Sequence, residues 1–260
     1  MPSTPPSRAT NAELKLLRSL LRDKHAREET KTFVAEGPRV VDAALRAGAK
    51  IVAVYVDDAG VDVAVAAATA GIEVRVVEPD EARRIGGTTT PQPVFATIEL
   101  ARPGLAALTG ASLCIVGTQV NDPGNAGTLM RSAAAAGATA LGLGARSVDA
   151  YNPKVVRASA GACFAIATVE GLDAVEMLEA LGDAGVQRVG AAALGGRTPE
   201  ALDLTVPTAF VLGHETRGLS SDLPLDALVT IPMHAAESLN VAMAGTVLLF
   251  EAARQRRQRA

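Results

Sequence analysis

The sequence has no tryptophan, and only 3% of its residues are aromatic. A protein that reads RNA bases by stacking needs aromatic faces, and few are available here, Phe33, Phe95 and Tyr151 among them. There are two cysteines, Cys114 and Cys163, with no CxxC spacing, and three histidines that do not cluster. That excludes a disulfide framework and any metal site built on the usual ligand spacings, and two buried thiols in a reducing cytoplasm is the economical account. No apolar run approaches the roughly 20 residues a membrane helix needs. The opening MPSTPPSRAT has no apolar secretion-signal core and reads as a disordered tail over residues 1–10. The phosphate loop GxxxxGK[ST] is missing, and Gly137, Gly142 and Gly144 are spaced too loosely for a dinucleotide fingerprint. With 25 basic and 28 acidic residues the net charge is −3, which argues against binding a polyanion with the whole surface.

What is present is material for real cores, since 48% of the 260 residues are hydrophobic. Leu14, Leu17, Leu20 and Leu21 have helical spacing in a basic stretch over 11–31. Strands are expected at 33–35, 51–56, 73–77 and 93–98, alternating with helices at 38–47, 61–70 and 80–85, which makes a small α/β sandwich over 11–102. Residues 103–110, with Pro103, Gly104 and Gly110, read as a linker. Beyond it, over 111–260, strands at 112–117, 140–143, 167–169, 188–192, 210–212 and 228–231 alternate with helices at 126–136, 153–160 and 174–183. That pattern predicts a mostly parallel sheet covered by helices. The chain ends in a helix from 241 that is almost unbroken apolar and small through 253, so a second subunit is expected against the face its own sheet leaves bare.

Three short constellations stand at strand ends, where α/β folds place ligands. The first is NDPGNAGTLMR, read as a turn at Asp122–Gly124, an N-cap at Asn125 and, six residues on, Arg131. The second is GHETRG, in which Glu215 is a loop carboxylate within reach of His214 or Arg217. The third is IPM followed by ESLNVAMAG, where Ser238 and Asn240 stand at the start of the last helix as cap and first-turn residue. Basic residues gather in the first helix and again at Arg254, Arg256, Arg257 and Arg259, and such local patches bind RNA on an acidic protein.

In order and spacing these three segments resemble the sequence motifs of the SpoU (TrmH-like) family of RNA ribose 2′-O-methyltransferases. The resemblance extends more weakly to FVAEGPRVVDAAL and PQPVFATIE, which look like that family's ribosomal-protein-like substrate-binding domain. It implies a knotted C-terminal methyltransferase domain, a trefoil holding S-adenosylmethionine, and an obligate homodimer. Carried over residue by residue, it assigns the catalytic set to Asn125, Arg131, Glu215, Ser238 and Asn240. The cofactor is expected at Leu212, Gly213, Gly218, Ile231, Met233 and Leu239, and the basic residues of the N-terminal half point to RNA contact at Arg22, Lys24, Arg27, Lys31 and Arg39. No metal or membrane is implied.

The activity expected is methyl transfer to a ribose 2′-hydroxyl, with ribosomal RNA ahead of transfer RNA as substrate. The family proposal makes the arginine take the hydroxyl proton, but a guanidinium carries five donors and no acceptor. Arg131 is better suited to clamping a phosphate and steadying the developing oxyanion, with Glu215 orienting it or its partners. A catalytically silent RNA-binding relative is the alternative, disfavoured by the intact set of five. A general nucleotide-binding enzyme is disfavoured by the missing phosphate and dinucleotide loops.

Overall fold

The computed structural model describes residues 6–86, 92–235 and 238–259. The chain forms two compact units, one holding the residues up to Ala101 together with Tyr151–Phe164, the other Arg102–Ala150 with the residues from Ala165 on. In the first, β1 (Ser7–Arg8), α1 (Asn11–Arg22), α2 (Lys24–Thr30), β2 (Thr32–Glu36), α3 (Pro38–Arg46), β3 (Ile51–Val56), α4 (Val61–Thr69), β4 (Glu73–Val76), α5 (Pro79–Ile85) and β5 (Val94–Glu99) follow one another. The sheet order is β1-β4-β3-β5-β2, parallel through β3 and antiparallel from there to β5 and β2.

The expected tail is corrected by this sheet. Residues 1–5 lie outside the described residues, but Ser7 and Arg8 pair with Arg75 and Val76, and Thr10 caps α1. The cap is reciprocal: Thr10 accepts the Glu13 N–H at 3.2 Å while the Glu13 carboxylate accepts the Thr10 N–H at 2.7 Å. The single basic helix over 11–31 is two helices. Asp23 sits in extended backbone, closing α1 and accepting the His25 N–H at 2.8 Å to cap α2.

The second unit holds α6 (Ala106–Thr109), β6 (Leu113–Gly117), α7 (Pro123–Ala135) and β7 (Ala140–Leu143). The chain then leaves it to form α8 (Pro153–Ala158) in the first unit. It returns as β8 (Ala167–Glu170), α9 (Ala174–Asp183), β9 (Gln187–Ala191), β10 (Thr208–Leu212), β11 (Ala227–Val229) and α10 (Val241–Arg259). All six strands are parallel, in the order β11-β9-β10-β6-β7-β8. The linker expected at 103–110 is instead part of this unit, because Leu108 of α6 is fully buried in the core with Val116, Met177 and Val211.

The domain boundary expected from sequence also needs correcting, since Tyr151–Phe164 belongs with the first unit rather than with 111–260. The reason is a buried charge. The Glu36 side chain is only 2% exposed and receives Arg157 of α8 at 3.1 Å, and a carboxylate taken out of water needs such a partner. Phe33 packs against Tyr151 and Phe164 with ring centroids 4.7 and 6.2 Å away, and the Tyr151 hydroxyl donates to the Ala101 carbonyl at 2.6 Å. The aromatic rings that the sequence offered as stacking platforms, Phe33, Phe95 and Tyr151, are all buried.

In the second unit α10 lies close to the sheet because Gly245 has no side chain. A Cβ there would stand 2.7 Å from Leu129 of α7 and 2.9 Å from Ile115 of β6. The helix outruns its apolar stretch, and Arg256 near its end is structural, donating to the carbonyls of Ser112, Leu204 and Val206 at 2.7–2.9 Å. Arg254 pairs with Glu251. These two residues of the expected C-terminal basic patch are therefore engaged within the unit.

β11, only three residues long, is secured by Asp226, which accepts from the Arg188 backbone at 2.7 Å and from its guanidinium at 2.9 and 2.6 Å. The hydrogen bond from Arg188 holds the Asp226 carboxyl below its usual range. A carboxyl lowered on folding stabilises above its unfolded pKa and loses that contribution as pH falls through the folded value. Asp226→Ala is expected to cost about 1 kcal/mol at neutral pH. In urea titrations the gap from wild type should stay full down to about pH 4 and close below it.

Candidate active site

The three sequence constellations meet at the C-terminal ends of β6 and β10 and the start of α10. The N-cap of α7 is Asp122, not Asn125: its carboxylate accepts the Asn125 N–H at 2.9 Å, and Pro123 begins the helix. Aspartate ahead of proline is a strong helix start, and it displaces the cap three residues upstream of the expected position. The correction frees the Asn125 side chain for long-range contacts.

Those contacts form a chain with one direction. Asn240, not the expected Ser238, caps α10, its Oδ1 accepting the Ala242 N–H at 2.9 Å and the Met243 N–H at 3.3 Å. Backbone N–H groups only donate, so this orients the amide and leaves Asn240 Nδ2 to donate to Asn125 Oδ1 at 3.0 Å. Asn125 must then present its Nδ2, which donates to Glu215 Oε1. Glu215 therefore takes its hydrogen bond from Asn125, not from the expected His214 or Arg217. His214 Nδ1 instead lies 3.1 Å from the Thr216 N–H, and Arg217 donates to Gln119 Oε1 at 3.1 Å.

The loop that presents Glu215 is closed by two backbone hydrogen bonds of 2.9 Å between His214 and Gly218. Gly213 permits that closure, since a Cβ on it would lie 2.2 Å from the Gly218 carbonyl. Beside the loop is a cavity of about 240 Å³ whose walls include all six residues expected to hold a cofactor, Leu212, Gly213, Gly218, Ile231, Met233 and Leu239. Glu215 and Ser238 line it as well. Apolar walls with a few polar groups are what a small organic cofactor uses.

One wall was missed. Ala191, Ala192 and Ala193, at the end of β9, also line the cavity. Thr230 holds this segment, accepting the Gly196 N–H at 2.9 Å and lying 3.1 Å from the Ala192 carbonyl. The adjacent glycines Gly195 and Gly196 after a strand were the available signal.

Arg131 stands apart from the network. Six residues separate it from Asn125, which on a helix of 3.6 residues per turn rotates it by about 120° and carries it about 9 Å along the axis. It is exposed and its side chain makes no hydrogen bond or ion pair among the described residues. Ser238 is exposed and lines the cavity without joining the Asn240–Asn125–Glu215 chain. In the first unit Arg22, Lys24, Lys31 and Arg39 are exposed as expected, but Arg27 is not available to RNA. It is 4% exposed and its guanidinium donates to the Leu20 carbonyl, holding α2 to α1. Among the described residues no group of three or more His, Cys, Asp or Glu side chains is placed to hold a metal ion.

The model of the SpoU rRNA Methylase family matches residues 112–250, and that of an MRM3-like substrate binding domain matches residues 11–96. A Bacillus subtilis (strain 168) protein named 23S rRNA (guanosine(2553)-2′-O)-methyltransferase RlmP is 30% identical over 234 residues, 88% of this chain and 92% of its own. The crystal structure of an AdoMet-bound rRNA methyltransferase from Sinorhizobium meliloti superposes with a TM-score of 0.83 at 31% identity, covering 95% of this chain and 96% of that one. The SpoU methyltransferase AviRb from Streptomyces viridochromogenes, in complex with AdoMet, gives 0.82 at 28% identity over 95% and 100% of the two chains.

Two substitutions three residues apart separate capping from site geometry. Asp122→Ala should cost about 1 kcal/mol of stability, whereas Asn125→Ala, which caps nothing, should cost less. Asn125→Asp should damage cofactor binding more than Asn125→Ala, because it sets a second carboxylate against Glu215 and removes the donor. Denaturation curves and S-adenosylmethionine titration of the three variants check both statements.

Proposed function

The chain belongs to the SpoU rRNA methylase family, and on that footing we propose that it transfers the methyl group of S-adenosylmethionine to a ribose 2′-hydroxyl of ribosomal RNA. The observation that carries this reading is the one-way hydrogen-bond chain from α10 through Asn240 and Asn125 to Glu215, at the wall of a largely apolar, glycine-bearing cavity. The residues fit the cofactor. Leu212, Ile231, Met233 and Leu239 offer apolar surface to a purine ring, and Glu215 and Thr216 of the closed 214–218 loop bring polar groups for a ribose. When bound, S-adenosylmethionine supplies a methyl group already activated on a sulfonium, so the protein's task is orientation and electrostatics.

In this reading Asn125, Asn240 and Glu215 fix the shape of the loops around the cofactor, and Ser238 completes the wall. Arg131 takes the other role. Its unengaged guanidinium grips the phosphate beside the target ribose and steadies charge as the 2′-oxygen attacks. The proton passes to the phosphate or a neighbouring acceptor. Glu215 acts through Asn125 rather than by orienting Arg131.

RNA is met first by the N-terminal unit, a reading supported by the family model matched there and by exposed Arg22, Lys24, Lys31 and Arg39. The trefoil threading implied by the family is in keeping with a sheet that sets β9, β10 and β11 on one side of β6 and β7 and β8 on the other. A homodimer is supported by α10, whose Met243, Val247 and Phe250 are 51%, 43% and 44% exposed along one stripe. The free cysteines suit a cytoplasmic setting, and among the described residues no helix is long and apolar enough to cross a membrane.

Arg131→Ala is expected to lower kcat for labelled methyl transfer to ribosomal RNA by roughly two orders of magnitude or more, with S-adenosylmethionine Kd nearly unchanged. An undiminished kcat removes Arg131 from the chemistry. Phe250→Asp should turn a dimer into a folded monomer in light scattering, and a wild-type monomer at micromolar concentration contradicts the assembly.

A further inference from the structure

A second cavity of about 410 Å³ opens in the same unit, over the C-terminal ends of β6, β7 and β10. It shares His214 and Gly218 with the cofactor cavity, so the 214–218 loop is the wall between them. The chemistry of its lining is different. Arg146, just after β7, and Arg217, in the shared loop, bring two guanidinia to it. Arg217 is tethered through one N–H to Gln119 Oε1 at 3.1 Å, which steadies its fork and leaves the remaining donors for a ligand.

Two carboxylates also line this cavity, and both have protein partners. Asp173 caps α9, accepting the Val175 N–H at 2.9 Å. The Asp222 carboxyl is held below its usual range, chiefly by the Ser220 hydroxyl, with Arg146 a smaller influence. Arg146 has no hydrogen-bond acceptor among the described residues. A space of this size is in the range of about 300–1,000 Å³ that small-ligand pockets occupy. Two arginines on separate loops, with donors to spare, suit a phosphodiester, which a guanidinium meets with paired hydrogen bonds.

We infer that this cavity receives a nucleotide of the RNA strand next to the methylated one, its backbone phosphate held by Arg146 and Arg217. The inference rests on the reading of the substrate as RNA. It gives the catalytic unit its own grip on the strand, separate from the basic residues of the N-terminal unit and from Arg131.

The test is fluorescence anisotropy with a mixed-sequence single-stranded oligoribonucleotide across a salt series, on wild type and on the Arg146→Ala/Arg217→Ala double variant. Each phosphate contact on a single strand contributes about 0.7 to the slope of log affinity against log salt. The double variant should lose about 1.4 of that slope, and at least tenfold in affinity at low salt. The corresponding lysine pair should retain most of the slope, and S-adenosylmethionine Kd should stay within about twofold in all of them. If the double variant loses S-adenosylmethionine binding and so misfolds, Arg146→Ala alone, outside the 214–218 loop, carries the test with an expected loss of about 0.7. An unchanged slope in a variant that still binds S-adenosylmethionine overturns the inference, as does a wild type that does not bind the oligonucleotide. Methyl transfer to ribosomal RNA by the wild type, measured in parallel, separates the two claims. A reduced slope without transfer keeps the phosphate site and rejects the methylation reading, and transfer with an unchanged slope does the reverse.

Discussion

The orientation of one amide, that of Asn125, is the constraint on which the site depends. An asparagine offers one acceptor and one donor side, and here both are committed, to Asn240 and to Glu215. The Asn240 end is fixed in turn by two backbone N–H groups at the start of α10. Three loops separated by 90 and 115 positions in the sequence are thereby held in one arrangement. A single reversed amide would leave donor facing donor at one end and acceptor facing acceptor at the other.

Packing beneath the network makes it possible. Asp122 takes over the capping of α7 and so releases Asn125, and Gly245 lets α10 settle close enough for Asn240 to reach it. Gly213 and Gly218 press the Glu215 loop into a closed turn, one side of which faces the cavity that Leu212, Ile231 and Met233 line. None of these residues needs to take part in chemistry. They set the shape in which exposed polar groups stand, while Arg131, more than a turn and a half further along α7, carries a charge that the network does not consume.

Much of this was legible in the sequence, because buried parallel strands are short apolar runs that stop at glycine or proline. β3, β7 and α9 have the bounds their patterns give, and the six residues that motif order assigns to a cofactor line one cavity. What was not legible depends on partners remote along the chain. Nothing local to Glu36 announces that Arg157 will neutralise it, so the transfer of Tyr151–Phe164 to the first unit was hidden. Arg27 looked like one more cation on a basic helix until the break at Asp23 turned it inward. The start of α7 is legible locally, since Asp122–Pro123 is itself a start signal.

If the methyl acceptor is a ribose 2′-oxygen of RNA, alkaline hydrolysis reveals it. Hydrolysis of an RNA strand proceeds through the free 2′-hydroxyl, so a methyl group on that oxygen protects the bond beside it. Ribosomal RNA incubated with this protein and methyl-labelled S-adenosylmethionine should yield its label in alkali-stable dinucleotides. Label recovered in mononucleotides would place the methyl group on a base and exclude the 2′-oxygen as its acceptor.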